Sequence, residues 1–479
     1  MYLHGRSLRL RKQGRRSSPF RVAVLVVLIA AGLVLLTLKE EGHVQPLFQA
    51  TAQPTRVPQS FADEAEAQFA AGDLTAAADA YWQAVQIAPA NIDYWVALAR
   101  IRIYAGQHEA ALEAAEKAML VDSNSAKAKA VYAWALDWNV EYGCRCTTLS
   151  EAESAAQLAI ALDTNYAPAH AYFSEILNDA GKWSQGFTEA EAALRLDPNS
   201  LDAHRAMGYA LESVGDYPGA IEAYKNALKI NPNLIIIYLR IGLNYRVLDP
   251  PDFENAIFYF SRANAIDPSN IEPYLYLSRT HYQNDELGTA IQYLEQALER
   301  DPANPDIHGR LGLILFKRRN YEGAEPELRL AVLGGVVDGL GNPLRDDAGN
   351  PLKNINGDPL ESADGQELEV KPLPLAGSIS LEYYYTYGNL LAYLEKCAPD
   401  QAPKFLNAAL NHAPDDPTVL GSFEESMAMC MNAGADPSAG ETGDGALGAA
   451  GDGTTADGTT EGAAAAGTGV AEVTPTPSP

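Results

Sequence analysis

Between about residues 60 and 334, apolar and small side chains return in two helical stripes per unit, and the unit itself returns most often every 34 residues. In the second stripe, Ala220, Tyr224 and Ala227, then Ala256, Phe260 and Ala263, then Ala290, Leu294 and Ala297 keep the i, i+4, i+7 spacing of one α-helical face. About a dozen residues earlier lies the first stripe, Leu98-Ala99, Met207-Gly208, Ile241-Gly242 and Leu311-Gly312, where a small residue lets two helices approach closely. Each unit closes on a turn: Ile87-Ala88-Pro89, Val121-Asp122-Ser123, Leu162-Asp163-Thr164, Leu196-Asp197-Pro198, Ile230-Asn231-Pro232, Ile266-Asp267-Pro268 and Arg300-Asp301-Pro302. Successive turns lie 34, 41, 34, 34, 36 and 34 residues apart. A single unit of this size cannot bury its apolar face, so the pattern predicts a stacked array. The fold class expected is all-α, a superhelical solenoid of about nine helix-turn-helix units with one small turn-rich insertion.

The two stripes resemble those of the tetratricopeptide-repeat family. The match is clearest where Tyr238, Ile241, Gly242 and Tyr245 fill the first helix (helix A), and Ala256, Phe260, Ala263 and Pro268 fill the second (helix B). Trp95, Leu98 and Ala99 keep the helix A pattern in unit two, which closes at Ser123 instead of Pro; Asp122 and Ser123 can still turn the chain. The resemblance covers roughly two thirds of the chain. It implies that helix A lines a concave face, helix B a convex one, and that partners lie in the groove as extended peptides. By position, the groove then holds Arg100, Tyr104, Trp134, Trp138, Tyr172, Arg205, Tyr209, Arg240, Arg246, Tyr276, Arg279, Tyr282, Arg310 and Lys317. The Lys and Asn pattern by which some co-chaperone members clamp a terminal carboxylate is missing.

Charge sharpens the groove reading. The chain carries a formal −27, yet Arg6, Arg9, Arg11, Lys12, Arg15, Arg16 and Arg21 stand in residues 1–21 with no acid among them, so the remainder is more acidic still. Such a body repels a phosphate backbone, and nucleic acid is not an expected partner. Against this background, units five to eight set Arg205, Arg240, Arg246, Arg279, Arg310 and Lys317 in the groove beside Asp202, Glu212, Glu272 and Asp306. Either these cations pair with neighbouring acids, or they receive an acidic segment of another protein; the partner-binding groove is expected at Arg205, Tyr209, Arg240, Arg246, Arg279, Tyr282, Arg310 and Lys317.

The basic run 1–21 is followed by 22–38, apolar or small throughout apart from Thr37 and at the lower limit for spanning a bilayer. A membrane helix or uncleaved signal anchor is expected there, because a secretory apolar core is ordinarily only about 7–15 residues long. Basic residues stay on the cytoplasmic side, which places the repeats outside the cytoplasm. A Pro-broken linker, 39–59, leads into the array.

Unit three carries the longest spacing, its extra residues falling around Tyr142 to Thr148, with Cys144 and Cys146 in the loop. Two cysteines one residue apart are too few for structural zinc and are not spaced as a C-x-x-C dithiol, so a structural disulfide is the expectation there. Cys397 and Cys430 fall near helix ends on one edge of the stack, and a disulfide between them is the other candidate bridge. Insertion 335–378 contains four octads, Val337–Leu344, Arg345–Leu352, Lys353–Leu360 and Glu361–Leu368, each with Gly at its fifth place. Turn chemistry accounts for their Gly, Asn and Asp. Asp346, Asp347, Asn354, Asn356, Asp358 and Asp364 could also offer oxygens to calcium, although neither an EF-hand nor a glycine-rich nonapeptide spacing is present. The octad insert, Val337–Leu368, is expected to be dispensable for folding of the array. A divergent ninth unit, 379–416, a capping helix, 417–432, and a Thr/Pro/Gly/Ala tail, 433–479, too polar to bury a core, complete the chain.

No phosphate-cradling loop, nucleophile elbow or paired-His motif is present, and His170, His204 and His308 occupy the packing position of helix A. An interaction scaffold is therefore expected, with no catalytic residues, cofactor, metal or small-molecule substrate. The other class kept open is a cell-envelope glycan or cell-wall binder, with Trp134, Trp138 and the tyrosines stacking on sugars.

Overall fold

The computed structural model describes residues 18–40, 56–141, 148–345, 350–352 and 367–433. It separates into two bodies, Met1–Val57 and Pro58–Pro479. The first holds α1, Pro19–Glu40. Among the described residues no helix is long and apolar enough to cross a membrane, and the span expected at 22–38 is not found.

Among the described residues of the second body nineteen helices stack in consecutive pairs, the last as a cap. Unit one is α2 (Pro58–Ala71) and α3 (Leu74–Ile87), unit two α4 (Ile92–Tyr104) and α5 (His108–Val121), and unit three α6 (Ala126–Glu141) and α7 (Leu149–Leu162). Units four to six follow as α8 (Ala167–Asp179) with α9 (Trp183–Leu196), α10 (Leu201–Ser213) with α11 (Tyr217–Ile230), and α12 (Ile235–Arg246) with α13 (Phe253–Ile266). Units seven and eight are α14 (Glu272–Gln283) with α15 (Leu287–Leu298) and α16 (Pro305–Lys317) with α17 (Tyr321–Leu333). Unit nine is α18 (Ser378–Tyr393) and α19 (Ala402–His412), capped by α20 (Pro417–Ala433). The all-α solenoid is as the periodicity predicts.

Three local devices make the period. The first is the closing turn, where the Asp or Asn carboxyl or amide oxygen accepts the backbone N–H two residues on: Asp122 from Asn124, Asp163 from Asn165, Asp197 from Asn199, Asn231 from Asn233 and Asp267 from Ser269. The side chain supplies the turn, which is why a unit can close without Pro. The second is a peg from helix A back to that turn. Trp95, His170, His204, Tyr238, Tyr274 and His308 each hydrogen-bond the carbonyl six residues earlier. His308 and His170 also meet Glu327 and Glu189 on helix B, so these histidines are packing residues.

The third device is the small residue. A Cβ added at Gly242 would lie 2.5 Å from the Phe260 ring, and at Gly208 2.6 Å from that of Tyr224. The rings themselves are buried, so they have nowhere to retreat. Gly242→Ala is expected to cost about 1–3 kcal/mol by overpacking, read as a lower urea midpoint of the repeat body. Gly388 against Leu406 repeats the motif in α18 and α19, marking unit nine as a true member of the stack.

After α17 the chain forms β1 (Gly335–Val337), which pairs antiparallel with β2 (Leu368–Val370). Leu344 donates its N–H to Val336 and Leu352 donates to Leu344, both at 2.9 Å. Octads thus stack at their own period of eight. Val337, Leu344 and Val370 are buried, and Val337 and Val370 pack on Leu330 of α17. Arg329 fastens the base by donating to the carbonyls of Gly334 and Arg345. The expectation that the whole insertion is dispensable is therefore corrected: its ends belong to the core. Val337→Ala should cost about 2 kcal/mol, two methyl groups plus the cavity they leave, measurable as a lower melting temperature. The Cys144/Cys146 loop, the remaining octads with the six candidate calcium ligands, the tail 434–479, most of the linker and residues 1–17 lie outside the described residues.

Candidate functional site: the concave face

The helix A side chains turn inward, as the resemblance implies, but the face they line is divided into two parts. In units one to five the superhelix closes on itself. Asn231 and Asn233, in the turn between α11 and α12, donate their side-chain amides to the carbonyls of Phe69 and Ala70 at the end of α2, at 2.9 and 2.8 Å. Gly72 sits in that junction with φ +88°, and a Cβ there would lie 2.5 Å from the Asn233 carbonyl oxygen, so glycine is required both for the turn and for the approach.

Closure buries what the groove of these units was expected to display. Asp202 of α10 reaches across to α4, where Arg100 donates to it at 2.9 Å and the Tyr104 hydroxyl also donates; from α8, Tyr172 donates at 3.1 Å. Trp134 is fully buried, stacked on Tyr172 with ring centroids 4.3 Å apart, and its indole N–H donates to Glu175. Trp138 stacks on His108. Arg205 lies over Trp134 and pairs with Glu175 at 2.5 Å, and Tyr209 bonds Asp179. Burial, opposed by Arg205, pushes the Glu175 carboxyl up to about 7. A cavity of about 20 Å³, room for a water, lies among Asp137, Asp179, Glu175, Arg205, Tyr209 and Arg240. Trp134 and Trp138 are thus internal packing, and with them buried the sugar-stacking reading loses its two largest platforms.

In units six to nine the expected groove residues separate. Arg240 is paired with Glu212 at 3.1 Å and covered by Tyr209, and Glu212 is further held by Tyr224 and Asn244. Arg310 pairs with Asp306, its own neighbour one helical turn away, at 2.7 Å. Burial works against the Arg310 charge, but Asp306 prevails and its pKa is raised. For Arg205, Arg240 and Arg310 the pairing alternative therefore holds.

Arg246, Arg279, Tyr282 and Lys317 are placed otherwise. Lys317 is exposed at the end of α16, its Nζ 4.3 Å from the Tyr282 ring centre and 3.8 Å from an Asp285 carboxylate oxygen. Arg279, half-buried on α14, has its pKa lowered by burial and by Arg310, with Glu382 opposing. Arg246, buried at the last position of α12, lies over Tyr276 with its guanidinium carbon 5.9 Å from the ring centre. Burial first, and then Arg279, pushes Arg246 down to about 9. Position placed Asp202 on the groove face but could not give its partners, which are 30 to 102 residues away in sequence, and Glu175 is named by no motif.

At the far end Cys397 and Cys430 are joined by a disulfide, with Cα atoms 5.3 Å apart, linking the segment after α18 to α20. Among the described residues no group of three or more His, Cys, Asp or Glu is arranged to hold a metal ion.

Tetratricopeptide-repeat models match residues 92–125, 213–246 and 277–335. No curated protein sequence matches the chain. Among solved structures, the chain is similar to the hetero-tetramer of APC/C Cut9-Hcn1, at 15% identity over 56% of this chain and 51% of that one, with a TM-score of 0.46. It spans about half the length of that relative. It is also similar to the human IFIT1 dimer with PPP-AAAA (16%, 78% and 83%, TM-score 0.48) and to pilF of Pseudomonas aeruginosa (17%, 56% and 98%, TM-score 0.39). The chain carries tetratricopeptide repeats. Such repeats generally bind other proteins, and a protein-interaction scaffold is the class that they define.

Proposed function

We propose that the chain is a membrane-anchored scaffold whose groove over units six to nine binds an extended acidic segment of another protein outside the cytoplasm. The observation that carries the groove reading is the group Arg246, Arg279 and Lys317, set with Tyr282 on α12, α14 and α16 and bringing charge and ring face together. Arginine and tyrosine supply bidentate charge recognition and flat apolar area, the side chains most enriched where binding energy concentrates. The anchor reading rests on the sequence: a basic run, then the apolar stretch 22–38, with α1 spanning Pro19–Glu40.

Reversing Arg279 and Lys317 together to Glu tests the groove while keeping both partners of the Arg205–Glu175, Arg240–Glu212 and Arg310–Asp306 pairs. Recovery of the partner from a detergent extract should fall at least tenfold relative to the parent, and the parent's recovery should weaken with salt because charge steering is screened over about 8–10 Å. Equal recovery by the double variant would move the partner elsewhere. Protease added to intact cells should remove the repeats; repeats protected while a control on the outer surface is cut would sink the topology.

A further inference from the structure

Arg246 is over nine-tenths buried, yet its Nη1 atom has no hydrogen-bond partner, and the hydroxyl of Tyr276, buried beside it, has none either. The two are neighbours between α12 and α14, the guanidinium carbon 5.9 Å from the Tyr276 ring centre. A buried guanidinium ordinarily meets a carboxylate, because desolvating a charge without compensation is expensive. Here the compensation is partial. The end of α12 offers the fractional negative charge of a helix C-terminus, equivalent to about half an electron, and the Tyr276 ring offers its face. Neither satisfies the free donor.

The surrounding charge is also one-sided. Arg279 and Arg310 both act on Arg246. Of the acids nearby, Asp306 is committed to Arg310, Glu382 faces Arg279, and Glu272 acts on Arg240 and on Tyr276 without pairing with Arg246. The geometry points to a receptor for a single carboxylate at Arg246 Nη1 and Tyr276 Oη, supplied by an Asp or Glu side chain of the bound segment. Two neighbouring donors, one of them cationic, suit the two oxygens of a carboxylate, whereas a phosphate group brings three oxygens and more charge. This deepens the groove reading and rests on it.

Such a site is stabilised by its ligand and destabilises the free protein, which gives it a signature that a structural arginine lacks. The full chain in detergent is titrated with hexaglutamate blocked at both ends, and separately with inorganic phosphate at matched ionic strength. Arg246→Met should melt no lower than the parent when free, while its affinity for hexaglutamate falls about tenfold or more, the worth of one charge-assisted bond. Tyr276→Phe, which keeps the stack on Phe260, should fold like the parent and also bind more weakly. An Arg246→Met protein that melts well below the parent and binds hexaglutamate equally makes the guanidinium structural and overturns the site, leaving the groove reading intact. Phosphate binding in place of the peptide overturns the carboxylate assignment. No binding of hexaglutamate by the parent overturns this site and the acidic-segment reading together.

Discussion

Asp202→Ala is expected to lower the stability of the repeat body by about 3–5 kcal/mol, the usual penalty for removing one partner of a buried charge pair. Asp202 is buried, and Arg100, Tyr104 and Tyr172 all donate to it from two other units. Its loss strands the Arg100 guanidinium in the closed interior and removes the contact that holds units two, four and five around one point. The effect should carry a pH signature. Burial opposes the Asp202 charge, but Arg100 and Arg205 outweigh it and hold its pKa below the ordinary value. A carboxyl depressed on folding contributes stability above its unfolded pKa, about 3.9, that is lost as pH falls through the folded value. Glu175 works the other way: raised by burial to about 7, it binds a proton more readily folded than unfolded, so stability falls as pH climbs from about 4.5 toward 7. The parent should be most stable in mild acid, and Asp202→Ala should lose the decline on the acid side. Urea unfolding of both proteins across pH 3 to 8 checks this; a loss under about 1 kcal/mol, or an unchanged acid limb, would show that the three donors find other partners.

Replacing Cys397 and Cys430 by Ser should cost about 3–4 kcal/mol in the loop-closure account, given the separation of 33 residues. The loss should be local. A solenoid is stabilised by contacts between neighbouring units, so the end nearest the disulfide opens first and the array as a whole need not unfold in one step. Amide exchange is therefore the measurement: protection in α20 and α19 should fall sharply, while α10 to α13 keep theirs. Uniform exchange in parent and variant would mean that packing of α20 on α18 and α19, through Phe423 and Met427, is enough by itself.

Much of this architecture was legible because it is local. The turn oxygen at Asp122 or Asp267 needs only a residue two places on, the Gly242–Phe260 contact only the other helix of its own unit, and the octad stack only a neighbour eight residues away. The groove was legible in part. Position within helix A correctly turned Arg100, Trp134, Arg205 and Arg240 inward, but inward is not the same as accessible.

The amino-acid sequence by itself determined the repeat, the helix pairing, the small residues at close approaches and the inward set of Arg, Trp and Tyr, because each depends on spacings within one or two units. Only the tertiary structure decided which part of the inward face is closed. That follows from small rotations accumulated over five units, which bring Asn231 and Asn233 to Phe69 and Ala70 across more than 160 residues. No local pattern encodes that sum. It turns Trp134 and Asp202 into core and leaves Arg246 buried with a donor to spare.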